Sequence, residues 1–406
     1  MPTNFPALTP SLPGGDARLL AAEQVLPGHP DKLADQVADA LVDIALLRDH
    51  RAAAQVEVAV HGADCFVSGR IATAGGALDL DDLARTVRAT YERAGFGVPF
   101  EGALADDWAC PRNDEVRLHW SLAVEEATAE EGAGRECADD QAIHVGYAVG
   151  CEETRFLPLE QHLALALRQR LLELSLHRRE LGLGPDGKLV VTLAPTGAEA
   201  PRYAVREVIV SVQHLPQAPW VAVDRALRAA IVEELAAQHA RLPWLLAEPS
   251  AATPVRVNEG GGFVQGGPVG DNGQTGRKLA CDFYGPRVPL GGGALSGKDP
   301  WRLDRAGALR ARQVAVALVQ TGFVRDALVT FTWAPCDRRP SHAEILADGR
   351  VLPSAEVSRW LRRFDPSLLA TVEELALWGV NYENCARGGH FGRGEPWDRT
   401  PWDAPG

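Results

Sequence analysis

From Pro30 the chain reads PDKLADQVADALVDIALLRDH, in which Leu33, Val37, Leu41 and Ile44 fall three or four apart. That spacing puts them on one helical face, and Pro30 suits the first turn, where its missing N–H costs nothing. Beyond this helix, two runs of strand-like residues followed by a helical run recur three times. QVEVAV and CFVSGRIA precede LDDLARTVRATYERAG; KLVVTLA and REVIVSVQHL precede VDRALRAAIVEELAAQH; LVTFTWA and HAEILAD precede SAEVSRWLRRF. The first strands begin near Gln55, Leu189 and Leu328, and the spacing carries the repeat, because identity between the units is negligible. The pattern predicts an α/β chain, of α+β type, with three similar units, each an antiparallel hairpin sheet with helices covering one face. LPLEQHLALALRQRLLELSLHRREL predicts a longer amphipathic helix opening the middle unit. Residues 122–141 are acidic and poor in large hydrophobes, which reads as a mobile loop or boundary. The expected division is a disordered leader over 1–18, an N-terminal domain over 19–125, a loop or boundary over 126–139, a central domain over 140–257 and a C-terminal domain over 258–406, with segments open to exchange between domains.

Composition narrows the class. With 406 residues, 46% of them hydrophobic, several cores are feasible, and more than one domain is expected. The formal net charge of −13 argues against nucleic acid as a general partner, since phosphate backbones need clustered Lys and Arg. A small phosphate ligand needs only a few local cations. The seven cysteines form no C-x-x-C pair, so structural zinc and a disulfide framework are both disfavoured, and small buried hydrophobes in a reducing cytosol are expected. The N-terminus shows no basic-then-apolar signal pattern and no apolar run reaches spanning length, which predicts a cytoplasmic protein without membrane contact.

Candidate chemistry gathers in two glycine-rich runs, GGPVGDNGQTGRK at 266–278 and GGGALSGKDP at 291–300. Such runs mark sharp bends or close backbone approach, and their terminal cations point to an anionic ligand. Gly292 to Lys298 fits G-x-x-x-x-G-K, but Asp299 stands where a phosphate loop has Ser or Thr, and Pro300 interrupts the following helix. This is not a standard phosphate loop, although Lys298 on a glycine platform suits a phosphate; alone, the run is as readily a turn. In the first run Arg277 can fork onto phosphate oxygens and Lys278 adds a point charge, beside Asp271. At the first helix start, Asp31 and Asp35 share a face near His29, which suits Mg²⁺ with phosphate oxygens, or simply complements the helix dipole. GPDGK at 184–188 reads either as a turn or as a nucleotide grip through Asp186 and Lys188.

Taken together these segments resemble the S-adenosylmethionine synthetase (methionine adenosyltransferase) family. AAEQVLPGHPDKLADQVADALVD looks like the family's first motif, GYAVGCEET its GYA-x-x-E-T element with one extra residue, and GPDGK, GGPVGDNGQTGRKLACDFYG, GGGALSGKDPWRLDR and GGHFGRGEPWD follow in family order. The resemblance implies three similar domains in a pseudo-threefold arrangement and sites between two subunits, hence a homodimer or larger. It implies ATP and methionine as substrates, Mg²⁺ and K⁺ as cofactors, and release of tripolyphosphate that is then hydrolysed. Carried over position by position, the catalytic set is His29, Lys188, Arg277, Lys298 and Asp140. Asp186, Lys188, Phe263, Asp271, Arg277, Lys278, Ala294 and Lys298 match nucleotide or phosphate contacts, Asp31 and Asp304 match Mg²⁺ ligands, and Glu57 matches the K⁺ ligand. Asp140 lies in DDQA, where the family's flanking glycines are here Asp139 and Ala142.

The departures cluster on the acceptor side. Arg70 stands where the family has a methionine-contacting Glu, Arg302 replaces a Lys, and no Q-S-P-D motif is found; Asp271 is the retained member. A cation at Arg70 reverses the charge that would meet an ammonium group. Alternatives to methionine are therefore a different, anionic or amine-lacking, nucleophile or, in another class, a non-catalytic ATP-binding or regulatory subunit. The retained phosphate and metal positions speak against the latter.

Overall fold

The computed structural model describes residues 19–128, 135–196, 202–249 and 253–400. The expected leader and residues 129–134 of the acidic stretch lie outside these. Three four-stranded sheets, each backed by helices, form the molecule, as the mixed α/β reading with three similar units requires.

The first sheet contains β2 (Ala53–His61), β3 (Asp64–Thr73), β4 (Arg117–Glu126) and the two-residue β9 (Gly273–Gln274), in the order β4-β3-β2-β9. Val56, Val58 and Val60 alternate inward from β2 onto α1 (Pro30–Arg48) and α2 (Leu80–Ala94). Asp79 caps the start of α2 by accepting from the Asp81 N–H, and Gly95 ends it at φ 108°, a left-handed angle that favours glycine. The middle sheet joins β1 (Leu20–Val25), β6 (Leu183–Thr196), β7 (Arg202–His214) and β8 (Val255–Val257) in that order, under α3 (Leu159–His177) and α4 (Trp220–Arg241). The third runs β12 (Arg350–Val351), β11 (His342–Ala347), β10 (Asp326–Trp333), β5 (Ala142–Val149), against α5 (Leu303–Gln320) and α6 (Ser354–Arg363). Two further helices, α7 (Leu368–Glu374) and α8 (Tyr382–Gly388), close the C-terminal part. α5 is alanine-rich and lies so close to β5 that a Cβ at Gly146 would fall 2.0 Å from the Ala311 carbonyl carbon.

Each expected hairpin and its helix is present, but the sheets borrow strands across the chain. β1 pairs with β6 from Leu20↔Leu193 to Val25↔Lys188, β5 pairs with β10, and β9 pairs with β2. Residues 122–141, expected as a loop, begin with the end of β4, which runs parallel to β3 in register Asp64↔Arg117 to Thr73↔Glu126. Leu118, Trp120, Leu122 and Val124 alternate along that strand as half-buried residues, a period-2 signal that the acidic composition masks. β7 and β8 are also parallel. GPDGK is no turn: it lies within β6, where the pairing register with β7 shifts between Leu183 and Gly187. Of the seven cysteines, all free, Cys65, Cys281 and Cys385 are the buried hydrophobes expected, whereas Cys110 and Cys336 are exposed. Among the described residues no helix is long and apolar enough to cross a membrane.

Candidate active site

α1 is buried on its polar side as well as its apolar one: Asp31, Lys32, Asp35, Gln36 and Asp39 are all nearly inaccessible. Residues four apart stack along one helix face, so Asp31, Asp35 and Asp39 form a row of carboxylates facing the two glycine runs. Asp31 Oδ1 accepts from the Gln274 N–H (3.1 Å), Asp35 Oδ1 from the Gly276 N–H (2.8 Å) and Asp39 Oδ1 from the Gly297 N–H (2.8 Å). One helix thus fastens both loops. The glycines are needed where the backbones touch: a Cβ at Gly273 would fall 2.1 Å from the Pro30 carbonyl carbon, and one at Gly297 would fall 2.0 Å from the Val56 carbonyl oxygen. Lys32 bridges Asp35 (3.0 Å) and Asp282 (2.5 Å), and Arg305 pairs with Asp39, so the row is neutralised from behind.

The first loop gathers one group of residues. Lys278 Nζ donates to Asp31 Oδ2 at 2.6 Å, and Arg277 Nε lies 3.5 Å from Asp31 Oδ1 while its Nη1 donates to Asn272 Oδ1. His29 caps α1, its Nδ1 accepting from the Asp31 N–H at 3.2 Å. Burial, and then the Lys278 ammonium, push the His29 imidazolium down to about 4, so the ring is neutral at pH 7. With Nδ1 accepting, the single ring proton sits on Nε2, which is therefore a donor. Asp186 is buried and accepts from the Gly267 N–H (2.7 Å); burial pushes its carboxyl up to about 6. Lys188 pairs with Glu23 at 2.6 Å across β1 and β6, and the Phe263 N–H donates to His214 Nε2 at 3.2 Å. Asp271 is exposed and accepts from the Asn272 N–H.

The second loop gathers the rest. Lys298 Nζ donates to Asp304 Oδ2 at 2.5 Å, and His144 Nε2 lies 3.5 Å from Asp304 Oδ1. Burial raises the Asp304 carboxyl, but the imidazole and the ammonium outweigh it and hold it down to about 2. Glu57 lies on β2, where burial pushes its carboxyl up against the lowering influence of Lys298. Asp299, which breaks the phosphate-loop pattern, is fully buried. It accepts from the Ala54 N–H (2.8 Å) and the Trp301 N–H (2.8 Å) and pairs with Arg135, stapling the loop onto β2. A cavity of about 260 Å³ opens between Asp140, Lys298, Arg302 and Asp304. A neighbouring one of about 260 Å³ shares Asp139 and Arg302 and is lined by Arg70, Arg135 and Trp301. Each of its guanidiniums meets an acid: Arg70 Nε is 3.0 Å from Glu125 Oε2, Arg302 pairs with Asp139, and Arg135 with Asp299. The loops themselves meet where a Cβ at Gly276 would fall 2.8 Å from that of Ala294.

Sequence models of the N-terminal, central and C-terminal domains of S-adenosylmethionine synthetase match residues 17–103, 135–263 and 265–403. The chain belongs to the S-adenosylmethionine synthetase family. It is similar to proteins named S-adenosylmethionine synthase from two strains of Thermus thermophilus, each at 36% identity over 392 residues, covering 94% of this chain and 96% of the relative. One of the same name from Parasynechococcus marenigrum is 33% identical over 404 residues, covering 95% of this chain and 94% of the relative. Within one chain of this synthetase-family member the sequence-derived residues fall into two groups: His29, Asp31, Asp186, Lys188, Phe263, Asp271, Arg277 and Lys278 about the first loop, and Glu57, Arg70, Asp140, Ala294, Lys298, Arg302 and Asp304 about the second. What sequence reasoning missed are the partners behind them: Asp39, Asp282, Asp299, Glu125 and Arg135. The four-residue spacing of Asp31, Asp35 and Asp39 was the available signal for the first of these.

Metal fit is of a restricted kind. Among the described residues no three His, Cys, Asp or Glu side chains come together to hold a metal ion. Asp31 and Asp304 each offer one carboxylate beside phosphate-suited cations, and Mg²⁺ is commonly held by one or two carboxylates with substrate phosphates and water. A Cβ at Gly293 would fall 2.3 Å from Asp304 Oδ2, so the glycine keeps the space over that carboxylate open.

Proposed function

We propose that this chain forms S-adenosylmethionine from ATP and methionine, releasing tripolyphosphate and hydrolysing it to phosphate and pyrophosphate. The observation that carries the reading is the row of α1 carboxylates fastening two glycine loops tipped with Arg277, Lys278 and Lys298. The methionine sulfur lone pair forms a bond to the 5′ carbon of ATP while the bond from that carbon to the triphosphate oxygen breaks, its electrons leaving with the triphosphate. Negative charge therefore grows on the leaving oxygen, and preorganised donors aimed there lower the barrier. Lys278 and Arg277 grip the triphosphate from one loop and Lys298 from the other, while the Nε2–H of His29 donates to the leaving oxygen. Asp186, Phe263 and Asp271 hold the nucleoside, Lys188 extends the grip, and Asp140 lines the chamber. Asp31 and Asp304 would hold Mg²⁺, which would supply positive charge against the leaving chain, and Glu57 would serve K⁺.

The acceptor cavity supports a zwitterion. Paired Arg70–Glu125 and Arg302–Asp139 present both signs, so a guanidinium can meet the methionine carboxylate and an acid its ammonium. Of the acids that pair with the three guanidiniums, Asp139 lines the cavity, whereas Glu125 and the buried Asp299 stand behind Arg70 and Arg135. We take the working protein to be a homodimer or larger with sites between subunits, which is what the family resemblance implies. We assign it to the cytoplasm, where ATP is abundant.

Incubation with ATP, Mg²⁺ and K⁺, with and without methionine, is expected to yield S-adenosylmethionine, phosphate and pyrophosphate by mass spectrometry only when methionine is present. ATP turnover without S-adenosylmethionine would overturn the methionine assignment. Glu125→Gln is expected to raise the KM for methionine about tenfold with the KM for ATP unchanged. A methionine KM that does not move would remove Glu125 from the acceptor site.

A further inference from the structure

Away from the two glycine loops, a cavity of about 360 Å³ opens between α3, α4 and the segment after α8. This is the small end of the range for ligand pockets, roughly 300–1,000 Å³. Arg155, Arg168, Arg241 and Arg393 line it, and among the described residues no carboxylate does. In a chain of formal net charge −13 that concentration of one sign is unusual. Arg168 is the buried member, 4% exposed. Its Nη2 donates to the Arg387 carbonyl, while its Nε is shielded from solvent and has no partner among the described residues. The acid behind it, Asp282, is already engaged by Lys32 at 2.5 Å. Burial, and then the Arg393 guanidinium, press the Arg168 guanidinium down to about 10.

The backbone is bent to bring these charges together. Arg155 and Phe156 lie at φ 54° and 59°, left-handed angles that L residues adopt only under constraint, and Arg155 Nη1 is held by the Gly392 carbonyl at 3.1 Å. Arg393 is held from the far side, its Nη1 donating to the Asn384 carbonyl at 2.7 Å. Glu395 offsets Arg393 in part, but no carboxylate among the described residues lines the cavity, so these convergent like charges repel, and the cost is highest for the buried one. A multiply charged anion in the cavity removes that repulsion, and guanidinium forks match the oxygens of a phosphoryl group.

We propose that this cavity is a second anion site, separate from the catalytic loops, which takes a small phosphate-class oxyanion such as pyrophosphate or the phosphate group of a phosphorylated metabolite. The lining shares no residue with the catalytic groups, so the proposal stands or falls independently of the reaction assigned above.

The test is calorimetric titration of pyrophosphate into full-length Lys278→Ala/Lys298→Ala protein, whose catalytic grip is removed. One site per chain is expected. Adding Arg155→Ala and Arg241→Ala, both exposed side chains, is expected to weaken that site by about tenfold or more. Melting curves confirm that each variant is folded. Should the Lys278/Lys298 variant not fold, the wild-type chain serves: two classes of pyrophosphate site are expected, of which Arg155→Ala/Arg241→Ala removes one. No second site, or a site indifferent to Arg155 and Arg241, would overturn the proposal. Parallel titrations with inorganic phosphate and glucose 6-phosphate distinguish a free phosphate from a phosphorylated metabolite, and tight binding of either supports it. Citrate binding more tightly than every phosphate compound would overturn the phosphate assignment.

Discussion

His29→Asn is expected to lower kcat about 100- to 1,000-fold, the usual loss when one preorganised donor to a developing oxyanion is removed. The fold should survive, because asparagine is among the best helix caps and its side-chain oxygen can take over the 3.2 Å contact that His29 Nδ1 makes with the Asp31 N–H. The shorter amide then leaves nothing where the imidazole Nε2–H stood. A variant with normal kcat would move the leaving-group role away from His29. The pH behaviour follows from the same environment. Burial and Lys278 lower the folded-state value from 6.5 to about 4, so kcat/KM, which reports the free enzyme, should show no His29 inflection near 6.5. For stability the sign is that of a group kept neutral in the fold. Below pH 6.5 the unfolded chain takes the proton first, so stability falls as pH drops from 6.5 towards 4, by on the order of 2–3 kcal/mol from this residue. His29→Asn should flatten that part of a melting-temperature profile.

Asp299→Ala is expected to cost about 3–5 kcal/mol of stability, read as a lower urea midpoint, because it strands a largely buried guanidinium. Arg135 loses its acid partner, and the Ala54 and Trp301 N–H groups lose their acceptor. The loop carrying Lys298 then loses one fastening to β2, so activity should fall in the fraction that still folds. Asp299→Asn keeps an acceptor for one of those N–H groups and should cost less. An unchanged midpoint for the alanine variant would mean that the remaining bonds suffice to hold the loop: Val56 N–H to the Gly297 carbonyl (2.7 Å), the residue-299 N–H to the Ala54 carbonyl (3.0 Å), Arg305 Nε to the Lys298 carbonyl (2.7 Å) and the Gly297 N–H to Asp39.

Local periodicity makes the hairpins and helices readable, and motif order makes the family readable. What neither carries is partnership. Nothing near Leu20 announces that its strand pairs with Leu193, because a pairing across that much chain has no local pattern. β4 is hidden for the opposite reason: its alternation is present, but the run of acids after it dominates the composition. The site shows the same division. His29, Asp31, Lys298 and Asp304 stand in recognisable strings, whereas Glu125 becomes relevant only when a parallel register sets β4 beside Arg70. Asp299 looks like a defect in a phosphate loop, and its reason is a contact with a strand some 245 residues away. The helix α1 is legible from its apolar face; its polar face, sealed under the two loops, is the side that organises the site.

The borrowed strands also set a timetable for synthesis. The amino-terminal β1 must wait for β6 to emerge before it gains its ladder, β5 must wait for β10, and the first sheet receives its last edge only with Gly273 and Gln274. The loop that fixes this edge is the one that carries Arg277 and Lys278, and it ends on the Asp31 carboxylate near the start of the chain. A nascent chain halted before that loop therefore holds β2 with an open edge and Asp31 without its Lys278 partner, so the completed first sheet and the first half of the phosphate grip arrive together, ahead of the loop that carries Lys298.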